Sequence, residues 1–147
     1  KANSDTDGRI INSMIDAYVA KHDNTIAFVS MGQLNYLSAL QFVDVVVGNS
    51  SSGLAEAPSF NIATIDIGDR QKGRIKADSV ISCLPSKDSI GKAFNELYSK
   101  QFQSAVGKVE NPYGKDGASE EIVRIIKDIS LDGIVKKSFY DFKGFSQ

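Results

Sequence analysis

Short apolar, β-branched runs alternate along this chain with stretches patterned for helix, and that alternation constrains the fold more than any other feature. The strand-type runs are Ile26-Ala27-Phe28-Val29, Asp44-Val45-Val46-Val47, Ile62-Ala63-Thr64-Ile65-Asp66-Ile67 and Val80-Ile81-Ser82-Cys83. Three consecutive valines suggest a strand buried on both faces. Between and around them, apolar residues recur at helical spacing. Ile10, Ile11, Met14, Ile15, Tyr18 and Val19 form one stripe, and Leu34, Leu37, Leu40 and Val43 form a second. Ser86 N-caps a third helix reaching Tyr98, with Ile90, Ala93, Phe94 and Leu97 on one face, and Ser119 to Ile129 makes a fourth. Strands joined through helices imply parallel crossovers, so the expected fold class is α/β with a Rossmann-like, doubly wound parallel sheet.

Composition narrows the function. With 147 residues there is room for one ordinary α/β domain, and 41% hydrophobic against 24% charged residues is a globular balance. A net charge of −1 exerts no general pull on nucleic acid or on an anionic membrane surface. One cysteine excludes an intrachain disulfide and a Cys-rich zinc site. No apolar run approaches the roughly 20 residues of a membrane helix, and no signal-peptide pattern opens the chain. The expected setting is reducing and cytoplasmic. The chain begins at Lys1 rather than Met, and we expect it to be a piece of something longer.

Chemistry concentrates where strands end. In open α/β sheets, ligands bind outside the carboxyl ends of the strands. There the sequence places Gly48-Asn49-Ser50-Ser51-Ser52-Gly53 and then Leu54-Ala55-Glu56-Ala57, with Pro58 limiting the helix. Two glycines allow tight backbone and close approach of a ligand, three serines offer hydroxyls, and a helix start offers unpaired N–H groups to a phosphate. Neither the nucleoside-triphosphate P-loop nor the GxGxxG fingerprint is present. Glu56, about one turn into the helix, can accept two hydrogen bonds from a ribose diol. The plainer alternative is equally open: serines as N-caps and Glu56 as an acid favoured by the helix dipole.

A second loop, Gly68-Asp69-Arg70-Gln71-Lys72-Gly73-Arg74, follows the next strand. Its cations suit a diphosphate, and a solvated charged loop is the alternative. Asn111-Pro112-Tyr113-Gly114 alone reads as a turn-rich linker into a helix. His22 sits at a helix end and reads as a cap or as solvated, giving no support to a metal site or a Ser–His–Asp triad. Cys83 reads as a small buried hydrophobe. The segment 131–147 carries Phe139, Tyr140, Phe142 and Phe145, too many aromatics for a solvated tail. We therefore expect a domain over 1–130 and an aromatic-rich tail over 131–147, packed on the domain or on a part lying elsewhere.

Taken in order, the segments Gly48 to Ser59, Gly68 to Arg74 and Asn111 to Gly114, together with the opening Lys1 to Arg9, resemble the hydrolysing UDP-N-acetylglucosamine 2-epimerases of the sialic- and legionaminic-acid type. The resemblance covers almost the whole chain. It implies the C-terminal half of a glycosyltransferase-B (UDP-glycosyltransferase/glycogen phosphorylase-like) architecture, in which two Rossmann-like domains close on a nucleotide-sugar. It implies that Ser50, Ser51 and Ser52 contact the diphosphate, that Glu56 holds the ribose hydroxyls, that Tyr36 stacks on the uracil, and that Arg70 and Arg74 lie near the diphosphate. The implied partners are UDP or a UDP-amino sugar, the N-terminal domain, and further copies at full length. No cofactor and no metal are implied, and the catalytic acid and base belong to the N-terminal region. The chain departs from the family in lacking that region and the family histidine before Asn3-Ser4-Asp5, and in having Asn61 and Ala63 where glycine and proline are frequent. On site chemistry alone, a glycosyltransferase donor domain and a non-enzymatic interaction module stand as alternatives.

Overall fold

The computed structural model describes residues 7–114 and 116–136, and the chain divides into two compact units, 1–112 and 113–147. This division comes earlier than the 130/131 boundary expected from the sequence. The aromatic residues Phe139, Tyr140, Phe142 and Phe145 lie outside the described residues.

The first unit runs α1 (Gly8–Val19), α2 (Gly32–Leu40), β1 (Val45–Gly48), α3 (Ser52–Ala55), a 3-10 turn (Ala57–Phe60), β2 (Ala63–Ile67), β3 (Val80–Cys83), α4 (Lys87–Leu97) and α5 (Lys100–Val106). The strands form one parallel sheet in the order β1-β2-β3, with Val45 opposite Ala63 and Thr64 opposite Val80. Alternation along β2 separates two faces. Ala63 and Ile65 join Ile81 of β3, Ala93 and Leu97 of α4 and Val106 of α5 in the core. Thr64 and Asp66 point the other way, and Thr64 meets Gly53 of α3. Helices thus cover both faces, as the expected Rossmann-like α/β class requires.

The best-buried strand is central. Ile65 is 0% exposed, and full burial of such a side chain is worth about 1.5–3 kcal/mol. α4 begins where Ser86 Oγ accepts the Ser89 N–H, and Ser89 Oγ accepts the Leu84 N–H in return. At the end of α1, His22 Nδ1 donates to the Tyr18 carbonyl at 2.8 Å and its ring stacks on Tyr18, so it caps as expected.

Three expectations are corrected, and one helix was missed. Residues 26–28 take no part in the sheet, and Ile26 and Val29 are 75% and 81% exposed. An apolar run becomes a strand only where a neighbour supplies ladder bonds. Val43 lies beyond α2, which closes at Leu40 when Phe42 N–H turns back to the Ala39 carbonyl. β1 is not buried on both faces: Val47 is half exposed, and among the described residues β1 pairs with β2 alone. α5 was not anticipated, because only Phe102 and Val106 mark its apolar side. Between β2 and β3 the crossover at 68–79 contains no helix. A parallel connection without a helix is uncommon.

The second unit contains α6 (Ala118–Asp128). Arg124 bonds Glu121 through both carboxylate oxygens and reaches Asp128 at 3.6 Å. The Arg124 hydrogen bond holds the Glu121 carboxyl below its ordinary range. No helix of the described residues is long and apolar enough to cross a membrane.

Candidate nucleotide site

β1 delivers the chain to the carboxyl edge of the sheet, where Gly48 takes φ +152°, a conformation glycine adopts freely. The serine turn then folds on itself. Ser52 N–H donates to Ser50 Oγ at 3.4 Å, Gly53 N–H to the Ser50 carbonyl and Leu54 N–H to the Ser51 carbonyl. The N–H groups of Ser52, Gly53 and Leu54 are therefore engaged within the turn. α3 is a single turn of four residues, so its dipole is small. This corrects the expectation of an open helix start: the turn's own bonds occupy these N–H groups. Gly53 also has a different task from the one expected. A Cβ there would lie 2.6 Å from Thr64 Cγ2, so its bare Cα lets α3 seat on β2.

Glu56 is the last residue of that turn, its N–H bonded to the Ser52 carbonyl. It stands at the C-terminal end of α3, half-buried, and caps no N–H with its side chain. It is at the same time the N-cap position of the following 3-10 segment, so the dipole of α3 disfavours an acid here while that of the 3-10 segment favours it. Directly after it, Pro58 turns the chain into the 3-10 segment, which closes at Asn61 with φ +55°. That left-handed position explains why glycine or asparagine suits it.

A crevice of about 940 Å³ opens between this turn, α2 and residues 26–33. Tyr36, Ser50, Ser52 and Glu56 all line it, and the Tyr36 hydroxyl is hydrogen-bonded to Ser52 Oγ. Ser51 is not among its lining residues. Arg70 lines a neighbouring depression of about 420 Å³ with Gly48, Asn49 and Asp69, and Arg74 lines neither. The seven candidate residues thus fall into a group of four around one crevice, one arginine beside it, and two outside both cavities.

Two residues without an assigned role in the sequence reading hold the site together. Asn111 Nδ2 donates to the Ala55 carbonyl at 2.9 Å and to Ser59 Oγ at 2.6 Å, clamping the chain on either side of Glu56. Gln71 Nε2 donates to the Asn49 carbonyl at 2.7 Å, linking the cationic loop to the serine turn. Behind them, Asp66 is 1% exposed and pairs with Lys76 Nζ at 2.8 Å, and Lys76 also donates to Ser82 Oγ. Burial, with Asp66 adding to it, pushes the Cys83 thiol up, as expected of a packing residue rather than a nucleophile.

Residues 1–127 match the protein family described as UDP-N-acetylglucosamine 2-epimerase. The chain belongs to that family. It is 38% identical over 144 residues to the polysialic acid biosynthesis protein P7 of Escherichia coli, covering 98% of this chain and 35% of that one. It is 35% identical over 143 residues to the GDP/UDP-N,N'-diacetylbacillosamine 2-epimerase (hydrolyzing) of Campylobacter jejuni, covering 96% and 37%. It is 33% identical over 129 residues to the Legionella pneumophila UDP-N,N'-diacetylbacillosamine 2-epimerase (hydrolyzing), covering 88% and 33%. The chain therefore spans about a third of the length of these curated relatives. In structure it resembles a Listeria monocytogenes protein described as a UDP-N-acetylglucosamine 2-epimerase, with a TM-score of 0.68 at 17% identity over 88% of this chain and 34% of that one. That likeness carries the fold, Rossmann-like and of glycosyltransferase-B type.

Proposed function

We propose that this chain is the nucleotide-binding, C-terminal part of a hydrolysing 2-epimerase acting on a UDP-2-acetamido sugar. One observation carries the reading: Tyr36, Ser50, Ser52 and Glu56 surround a single crevice at the carboxyl end of β1. The Tyr36 ring offers a face for the base, the serine hydroxyls bind phosphate oxygens, and the Glu56 carboxylate accepts both ribose hydroxyls. Arg70, one strand-end away, balances diphosphate charge, with Ser51 and Arg74 as outer contributors.

The reaction on this reading has two stages. A base removes the proton at C2 of the sugar as the C1–O bond breaks, and the electron pair of that bond leaves with UDP, giving a glycal. Water then adds at C1 while a proton is delivered to the opposite face of C2. Negative charge grows on the departing diphosphate, and stabilising it is the work of the serine turn and Arg70. The C2 acid and base are assigned to the portion of the relatives' length that this chain does not span. A lone cysteine with no disulfide partner suits a reducing cytoplasm.

Titration of the chain with UDP, GDP and inorganic diphosphate tests the reading. Glu56→Ala weakens UDP about tenfold, the scale of hydrogen bonds to a charged group, and leaves inorganic diphosphate within twofold. Equal weakening of both ligands would remove Glu56 from the ribose. Absence of nucleoside diphosphate binding by the unaltered chain would remove the reading altogether.

A further inference from the structure

Gln71 sits among four charged residues in Asp69-Arg70-Gln71-Lys72-Gly73-Arg74, yet it is the buried member, 3% exposed. Its Nε2 donates to the Asn49 carbonyl, and its Oε1 is buried without a hydrogen-bond partner. An orphaned buried acceptor is a standing cost that a merely space-filling residue would avoid. The loop that carries Gln71 is held by its own turns: Lys72 N–H bonds the Asp69 carbonyl, Arg74 N–H bonds the Gln71 carbonyl, and Gly68 N–H is anchored on the Cys83 carbonyl. Gly68 and Gly73 stand at φ +85° and +80° at its two ends. Gln71 thus projects from a braced loop and grips the peptide that immediately precedes Ser50.

We infer that Gln71 is a positioning residue for anion binding: it fixes the Asn49–Ser50 peptide and so aims the serine turn, while holding Arg70 at a set distance from that turn. The inference rests on the nucleotide reading above for its ligand, and on the Asn49–Gln71 bond for its mechanism. Gln71 need not touch the nucleotide. Its amide couples two loops that follow different strands, β1 and β2, so a diphosphate meets hydroxyls and guanidinium already in register.

The test uses the 147-residue chain with Gln71→Met, which keeps length and removes both amide atoms, and Gln71→Glu, which sets a carboxylate against the Asn49 carbonyl. UDP affinity is measured for each, for Ser50→Ala and for the Gln71→Met/Ser50→Ala pair. Gln71→Met weakens UDP five- to tenfold with a melting temperature within a few degrees of the parent. Ser50→Ala, costly alone, costs less than twofold in the Gln71→Met background, because a hydroxyl no longer aimed has little left to lose. Additive losses would overturn the inference. Amide exchange without ligand separates it from the nucleotide reading. Gln71→Met speeds exchange at residues 49–54 while β2 and β3 stay protected. Unchanged protection at 49–54 would overturn the tie even if UDP binds. Faster exchange there in a chain that does not bind UDP would leave the tie standing and refute the nucleotide. Should Gln71→Glu fail to fold, Gln71→Met carries every arm.

Discussion

Gly53 shows how little a single residue needs to decide the seat of the serine turn. Its Cα lies close under Thr64, whose Oγ1 donates to the Gly53 carbonyl at 2.8 Å while its methyl occupies the place a Cβ would take. Gly53→Ala is expected to cost about 1–3 kcal/mol through overpacking, read as a fall in melting temperature. Thr64→Ser removes the methyl and keeps the hydroxyl, so in that background Gly53→Ala should cost markedly less. The sequence showed that a glycine was wanted here, but not why: a ligand and a neighbouring strand make the same demand on a backbone. Cys83 was legible in kind, since an apolar strand surrounds it. Its thiol is held above the usual range, chiefly by burial and then by Asp66. The sign follows: folding favours the protonated thiol, so stability from this group is complete below the ordinary thiol value and declines as pH rises through it. Alkylation of the folded chain should accordingly reach half its limiting rate at a higher pH than alkylation of the unfolded chain.

At the level of elements, boundaries marked by local chemistry were readable and those set by partners were not. Ser86 announces α4, and the structure starts that helix at Lys87 with the Ser86 side chain capping it. Ser86→Ala should lower stability by about 1 kcal/mol, measured by denaturant titration. β3 runs over the expected residues, Val80–Cys83. By contrast, Ile26-Ala27-Phe28-Val29 has the composition of a strand and no ladder, and α5 has a ladder and almost no periodic signature. The clamp by Asn111 was out of reach because it joins positions 56 and 52 residues apart. Asn111→Ala leaves the Ala55 carbonyl without this donor and should cost about 1–3 kcal/mol. It should also loosen UDP binding through Glu56, which Asn111→Asp, unable to donate as a carboxylate, would reproduce in isothermal titration.

For the molecule as a whole, the gathering of four candidate residues was legible in the sequence and their geometry less so. The tyrosine, two serines and the glutamate meet around one crevice, whereas of the two arginines carried by one short motif Arg70 lines the neighbouring depression and Arg74 lines neither. Among the described residues that crevice has Glu56 as its one lining carboxylate, and inversion at carbon needs an acid and a base. The chain alone is expected to bind UDP and to leave a UDP-2-acetamido sugar intact; steady UDP release above the uncatalysed rate would contradict this.

The outer border of β1 has a consequence beyond catalysis. Val45, Val46 and Val47 carry backbone donors and acceptors that no further strand satisfies among the described residues, and Val47 leaves its side chain half in water. Such a border is a template on which identical strands can stack. At high concentration the chain should seed fibrils that bind an amyloid dye, and Val47→Lys, placing a charge on the growing face, should suppress them without disturbing the crevice.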